Sequence, residues 1–183
     1  WAATIGLNGL IGCGIGKSWS CHPMEHALSA YFDVTHGTGL AVLTPSWMRY
    51  ILNEDTVMRF VDYGVGVWGI DPTKDAFEIA KEAIDKTAEF LFETMEIPST
   101  LHEIGITSKF DEMAQEAVDS KGGRINGFKP LEKEDIKALL KKAIVDEKKG
   151  MGAYGAILGK ALYAGRLELA RALKVARGEV EAC

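Results

Sequence analysis

Four histidines occur in this 183-residue chain, and three of them, His22, His26 and His36, fall inside fifteen positions. Residues four apart stand on one face of a helix, so His22 and His26 point the same way if their segment is helical. His36 lies one short helix further on, where a reversal of the chain can return it to the first two. Imidazoles converging in this way suit a divalent metal, which takes neutral ring nitrogens as ligands. Glu25 and Asp33 add carboxylates to the same stretch. The simpler reading is that the three rings are packed or surface residues of a helical interaction module with no catalytic role. His102 stands alone and reads as a surface residue.

One motif offers a rival chemistry. His22-Pro-Met-Glu25-His26 fits H-x-x-E-H, in which two histidines hold zinc and the glutamate activates a water for hydrolysis. Such a site also needs an acidic ligand from later in the chain, for which Glu78 and Glu82 are nominal candidates. Pro23 confines the motif to the first turn of a helix, because proline carries no N–H to donate further in.

The elements that must position these residues read as helices throughout. Residues 22–32 form a short helix, and Thr35-His36-Gly37 is a joint. Residues 38–43 start the next helix, which Pro45 breaks; residues 46–52 then open another. Asn53 or Asp55 caps a helix through Val57, Phe60, Val61 and Val65. Over residues 74–95, apolar side chains from Phe77 to Met95 recur mostly at three and four, the clearest helical period in the chain. Residues 110–118 and 132–144 give two more. The glycine-rich opening, residues 1–15, reads as a helix buried on all sides. Nothing alternates with period two for long, so the expected fold is an all-α multi-helix bundle. Trp19, Trp47 and Trp68 read as core or cleft wall, and Cys21 as a buried thiol.

Composition narrows the partners. A net charge of -5 with 26% charged residues gives no basic face for nucleic acid or for a membrane surface. No apolar run reaches the length that spans a bilayer. Cys13, Cys21 and Cys183 form no C-x-x-C, which fits a reducing, cytoplasmic setting. The chain opens at Trp1 inside an apolar run, as a piece of a longer protein would. After Val145 the character changes. We divide the chain into a helical metal-binding domain, 1-145, and a linker and alanine- and leucine-rich helical extension, 146-183, in which no chemistry is evident.

The segment Cys21-His-Pro-Met-Glu-His-Ala-Leu-Ser-Ala-Tyr-Phe-Asp-Val-Thr-His36-Gly37 resembles the signature of the iron-containing, group III, alcohol dehydrogenases. Its flanks, Leu7-Asn-Gly-Leu10, Gly39-Leu-Ala-Val-Leu-Thr-Pro-Ser-Trp-Met48, Gly64-Val-Gly-Val-Trp-Gly-Ile70 and Ile97-Pro-Ser-Thr-Leu101, are similar to the butanol dehydrogenase branch. The resemblance implies a dehydroquinate-synthase-like C-terminal helical domain. It implies His22 and His36 as metal ligands for Fe2+ or Zn2+, and His26 as a catalytic polar group beside the nicotinamide and the substrate. It implies hydride transfer between NAD(P)H and an alcohol or aldehyde such as butanal, in a homo-oligomer. The family's other two ligands and its nucleotide-binding domain precede the matching segment, so the chain alone is expected to bind metal weakly and not to turn over.

Overall fold

The computed structural model describes residues 1–14 and 18–144. The chain divides into two units, Trp1–Ile144 and Val145–Cys183. The second unit, with the extension expected there, lies outside the described residues.

Among the described residues the structure is helical, with one isolated antiparallel bridge between Ile125 and Leu131 and no strand. Seven α-helices follow in order: α1 (Ala2–Leu7), α2 (Cys21–Phe32), α3 (His36–Ile51), α4 (Val57–Trp68), α5 (Ala76–Glu89), α6 (Phe110–Asp119) and α7 (Lys133–Lys142). A 3-10 turn, Leu10–Gly12, follows α1, and a π-type turn, Phe90–Thr94, continues α5. None of the described helices is long and apolar enough to cross a membrane.

The core that carries the histidine segment is built from α2, α3, α6 and α7. From α2 it receives Met24, Ala27 and Leu28, from α6 Met113, Ala114, Ala117 and Val118, and from α7 Ile136, Leu139 and Leu140. Leu101 and Ile106, both fully buried, close it from the intervening loop. Two polar ties fix α3 against its neighbours. The Tyr50 hydroxyl donates to Asp135 on α7, which pushes the phenol up to about 12. Arg49 meets Asp85 on α5 at 3.0 Å. Asp135 also accepts from the Glu132 backbone N–H at 2.8 Å, so one carboxylate caps α7 and anchors it to α3. The packing of α4 on α5 needs a missing side chain: a Cβ at Gly64 would stand 2.9 Å from Ile79 Cγ2.

Two elements depart from the sequence reading. Pro45 does not break α3, which runs unbroken from His36 to Ile51 with Pro45 buried inside it. An internal proline costs about 3 kcal/mol in lost hydrogen bonding and ring clash. Here Ala41, Val42 and Leu43 before it and Met48 and Ile51 after it are all buried, and that packing outweighs the local penalty. The N-terminal segment is not a helix buried on all sides. Gly9 adopts φ 77°, a left-handed conformation that ends the helix, and Trp1 and Leu10 are exposed. Its glycine serves a turn rather than a close approach of backbones.

Candidate metal centre

The site sits on the face of α2 turned away from that core and on the first residue of α3. Helical geometry separates the two faces of α2: Met24, Ala27 and Leu28 enter the core, while His22, Glu25, His26 and Ser29 fall on the other side. Asp33 ends α2 in the left-handed conformation, φ 51°, and its N–H bonds to the Ser29 carbonyl at 2.9 Å. That cap turns the chain within three residues, so that α3 starts at His36, back against α2. Asp33 is exposed and is absent from the group of converging donors, so its part is structural.

The three imidazoles lie close together. Ring centroids are 5.2 Å apart for His22 and His36, 5.5 Å for His26 and His36, and 6.0 Å for His22 and His26. With a metal–nitrogen bond of about 2.1 Å, two imidazoles on one tetrahedral ion hold their centroids roughly 5 Å apart. The donor chemistry and the spacing therefore fit a divalent ion. Trp19, partly exposed, stands edge-on to His22 with centroids 4.4 Å apart and walls that side of the cluster. Burial first, then the neighbouring His36 and His26 rings, hold the His22 imidazole below its ordinary value. That favours the neutral ring, the form that ligates.

Glu25 has a place that spacing did not reveal. It is fully buried; one carboxylate oxygen meets His36 Nδ1 and the other accepts from the Ser29 hydroxyl. Ser29 also lies 2.8 Å from the Val34 carbonyl oxygen. The ligand atoms of Glu25, His26 and His36 lie within 4.8 Å of one another, a donor set that omits His22. Both carboxylate oxygens are already engaged, so we read Glu25 as a support of His36 rather than as a ligand. Glu78 and Glu82 are on α5 and do not join the cluster; Glu82 pairs with Lys74 at 2.6 Å. His102 is exposed and stands apart, as expected of a surface residue.

The thiol next to the site is partly buried. Desolvation pushes Cys21 up to about 12, against a weaker opposing hydrogen bond with Thr44. Cys13 is exposed. Under native conditions an aromatic disulfide reagent is expected to modify Cys13 and leave Cys21 unmodified until the chain is denatured, since the thiolate is the attacking form. Peptide mapping by mass spectrometry reads this; equal labelling of the two in the folded chain would contradict it.

With this geometry in place, comparison with known proteins decides the family. Residues 2–144 match the Fe-containing alcohol dehydrogenase family, C-terminal region. The chain belongs to the iron-containing alcohol dehydrogenases. Within that family it is 53% identical over 144 residues to NADH-dependent butanol dehydrogenase A of Clostridium acetobutylicum, covering 78% of this chain and 37% of that protein. The NADPH-dependent aldehyde reductase YqhD of Escherichia coli is 36% identical over 108 residues, covering 58% and 27%. The crystal structure of NADH-dependent butanol dehydrogenase A from Thermotoga maritima superposes with a TM-score of 0.71 at 30% identity, over 79% of this chain and 38% of that one. This member of the family thus spans a little over a third of the length of the two butanol dehydrogenases, and its described part is helical.

Proposed function

We propose that this chain carries the metal-binding half of the active site of a NAD(P)H-dependent alcohol dehydrogenase or aldehyde reductase acting on small aldehydes such as butanal. The observation that carries the reading is the clustering of three imidazoles from α2 and α3, with ring centroids 5.2 to 6.0 Å apart. Membership of a family whose relatives are named butanol dehydrogenases and an aldehyde reductase supplies the reaction class.

His22 and His36 are the residues we assign to the ion, Fe2+ or Zn2+. When bound, a divalent ion supplies Lewis acidity toward a carbonyl oxygen, and a nicotinamide supplies the hydride. The chain's own residues do the rest. His26 is exposed beside His36, so its ring can reach both solvent and an alkoxide oxygen and pass a proton between them. The same exposed ring is the one we place against the nicotinamide. Trp19 shields the His22 side and leaves an apolar wall for a short alkyl chain. Residues 146-183 are, in this proposal, a linker and helical extension to which no role is assigned. A cytoplasmic homo-oligomer completes the proposal, supported by the cysteine pattern and the family.

The hydrolase alternative has a structural argument against it. A general base must meet water, and Glu25 is fully buried with His36 and Ser29 on its oxygens. A purely packed histidine cluster would gain nothing from metal, whereas a bound ion stabilises the folded state by about 2.7 kcal/mol at a hundredfold excess over its dissociation constant.

The test is a chimera in which residues 1–144 replace the matching region of the clostridial butanol dehydrogenase A. Metal-dependent oxidation of NADH by butanal, lost in His22→Ala, is the expected result. A folded chimera with no turnover and no metal-induced stabilisation would overturn the proposal.

A further inference from the structure

The buried carboxylate of Glu25 has no part in the reaction as described, yet it is built in with care. It lies on the face of α2 that meets α3, and it is the only charged residue among the described residues with its side chain wholly out of solvent. Burying a carboxylate is costly unless it is paired and hydrogen-bonded. Here Oε2 takes His36 Nδ1 and Oε1 takes the Ser29 hydroxyl. Room for it exists because residue 39 is glycine: a Cβ there would stand 2.7 Å from Glu25 Cγ and 3.0 Å from Oε1. Four residues from two helices therefore converge on one contact, the carboxylate against Nδ1 of an otherwise half-exposed ring.

The chemistry of that contact is directional. An ionised carboxylate only accepts hydrogen bonds, so Nδ1 must carry the proton and Nε2 is left with its lone pair. The contact also fixes the rotation of the ring about its side-chain bonds. A histidine whose second nitrogen is held by a carboxylate is a pre-oriented and more basic metal ligand. We propose that Glu25 is a positioning residue of the metal centre: with Gly39 providing the space and Ser29 the second anchor, it locks His36 as the Nδ1–H tautomer and turns Nε2 toward the ion. This rests on the reading of His36 as a ligand, and its test separates the two.

Long-range 1H–15N correlation spectra of the metal-free 183-residue chain, at about pH 8 where an ordinary imidazole is neutral, report the tautomer of each ring. Wild type is expected to show His36 as Nδ1–H. Glu25→Ala is expected to release it to the mixture or the Nε2–H form common for free imidazole, leaving exposed His102 unchanged. Gly39→Ala, which keeps the carboxylate but displaces it, should release it in the same direction. Glu25→Gln, whose amide oxygen can still accept from Nδ1–H, should restore the wild-type tautomer in part and guards against a failure of Glu25→Ala to fold. In parallel, Zn2+ affinity of the butanol dehydrogenase chimera described above, which supplies the rest of the metal site, measured by competition with a chromophoric chelator, should fall about 10- to 100-fold in Glu25→Ala. A His36 tautomer unchanged in both Glu25→Ala and Gly39→Ala, or Zn2+ binding unaltered by Glu25→Ala, would overturn the proposal. A wild-type chain with the Nδ1–H tautomer whose butanol dehydrogenase chimera shows no measurable Zn2+ binding would sink the metal-centre reading while leaving the orienting contact established.

Discussion

In the chimera with the clostridial butanol dehydrogenase A, His36→Ala is expected to weaken Zn2+ binding by more than about 100-fold, beyond what loss of any supporting partner causes. The reason is that position 36 does two things. Its ring is central in the cluster, within 5.5 Å of both other imidazoles by centroid. It is also the partner of the buried Glu25 carboxylate. Removing it leaves one oxygen of that carboxylate without a donor in the protein, a defect worth about 1–3 kcal/mol. Affinity and stability should therefore fall together, read by chelator competition and by urea unfolding. His102→Ala, an exposed histidine elsewhere on the surface, should move neither. Equal Zn2+ affinity in His36→Ala and wild type would contradict the assignment.

The second large effect separates scaffold from site. Leu28 is fully buried on the core face of α2, opposite the histidines. Leu28→Ala removes three heavy atoms from a close-packed cluster shared with α6 and α7 and leaves a cavity, at a cost of about 2–5 kcal/mol. Protein that remains folded should still bind Zn2+ much as wild type does, because the open face of α2 is untouched. The midpoint of urea unfolding should fall sharply while the chelator competition on folded protein barely changes. A loss of metal affinity as large as that of His36→Ala would show that α2 holds its rings only through this packing.

Much of this is legible in the sequence. The three-and-four period of Phe77, Ile79, Ala80, Ala83 and Ile84 marks α5 plainly, and all but Phe77 are buried in the structure. The histidine spacing is informative because helical geometry alone puts positions 22 and 26 on one face. What escaped reading depends on partners distant in sequence. Pro45 reads locally as a break, and only the burial of its neighbours on both sides shows why α3 continues. The glycines of residues 1–14 read as packing residues, yet Gly9 and Gly14 take positive φ and make turns. Glu25 reads as a base within H-x-x-E-H; its true partner stands eleven residues away on another helix. A signal existed in Ser29, four residues on along the same face, and in Gly39, which lacks the side chain that would collide with the carboxylate. Neither is decisive until α2 and α3 are known to pack together.

The most direct test of the metal centre is an anomalous difference map from crystals of the chain soaked in Zn2+, collected at the zinc absorption edge. A single strong peak at about 2.0–2.1 Å from one ring nitrogen each of His22 and His36 is the predicted result. A peak bound elsewhere on the chain, with these two imidazoles holding no ion between them, would contradict it.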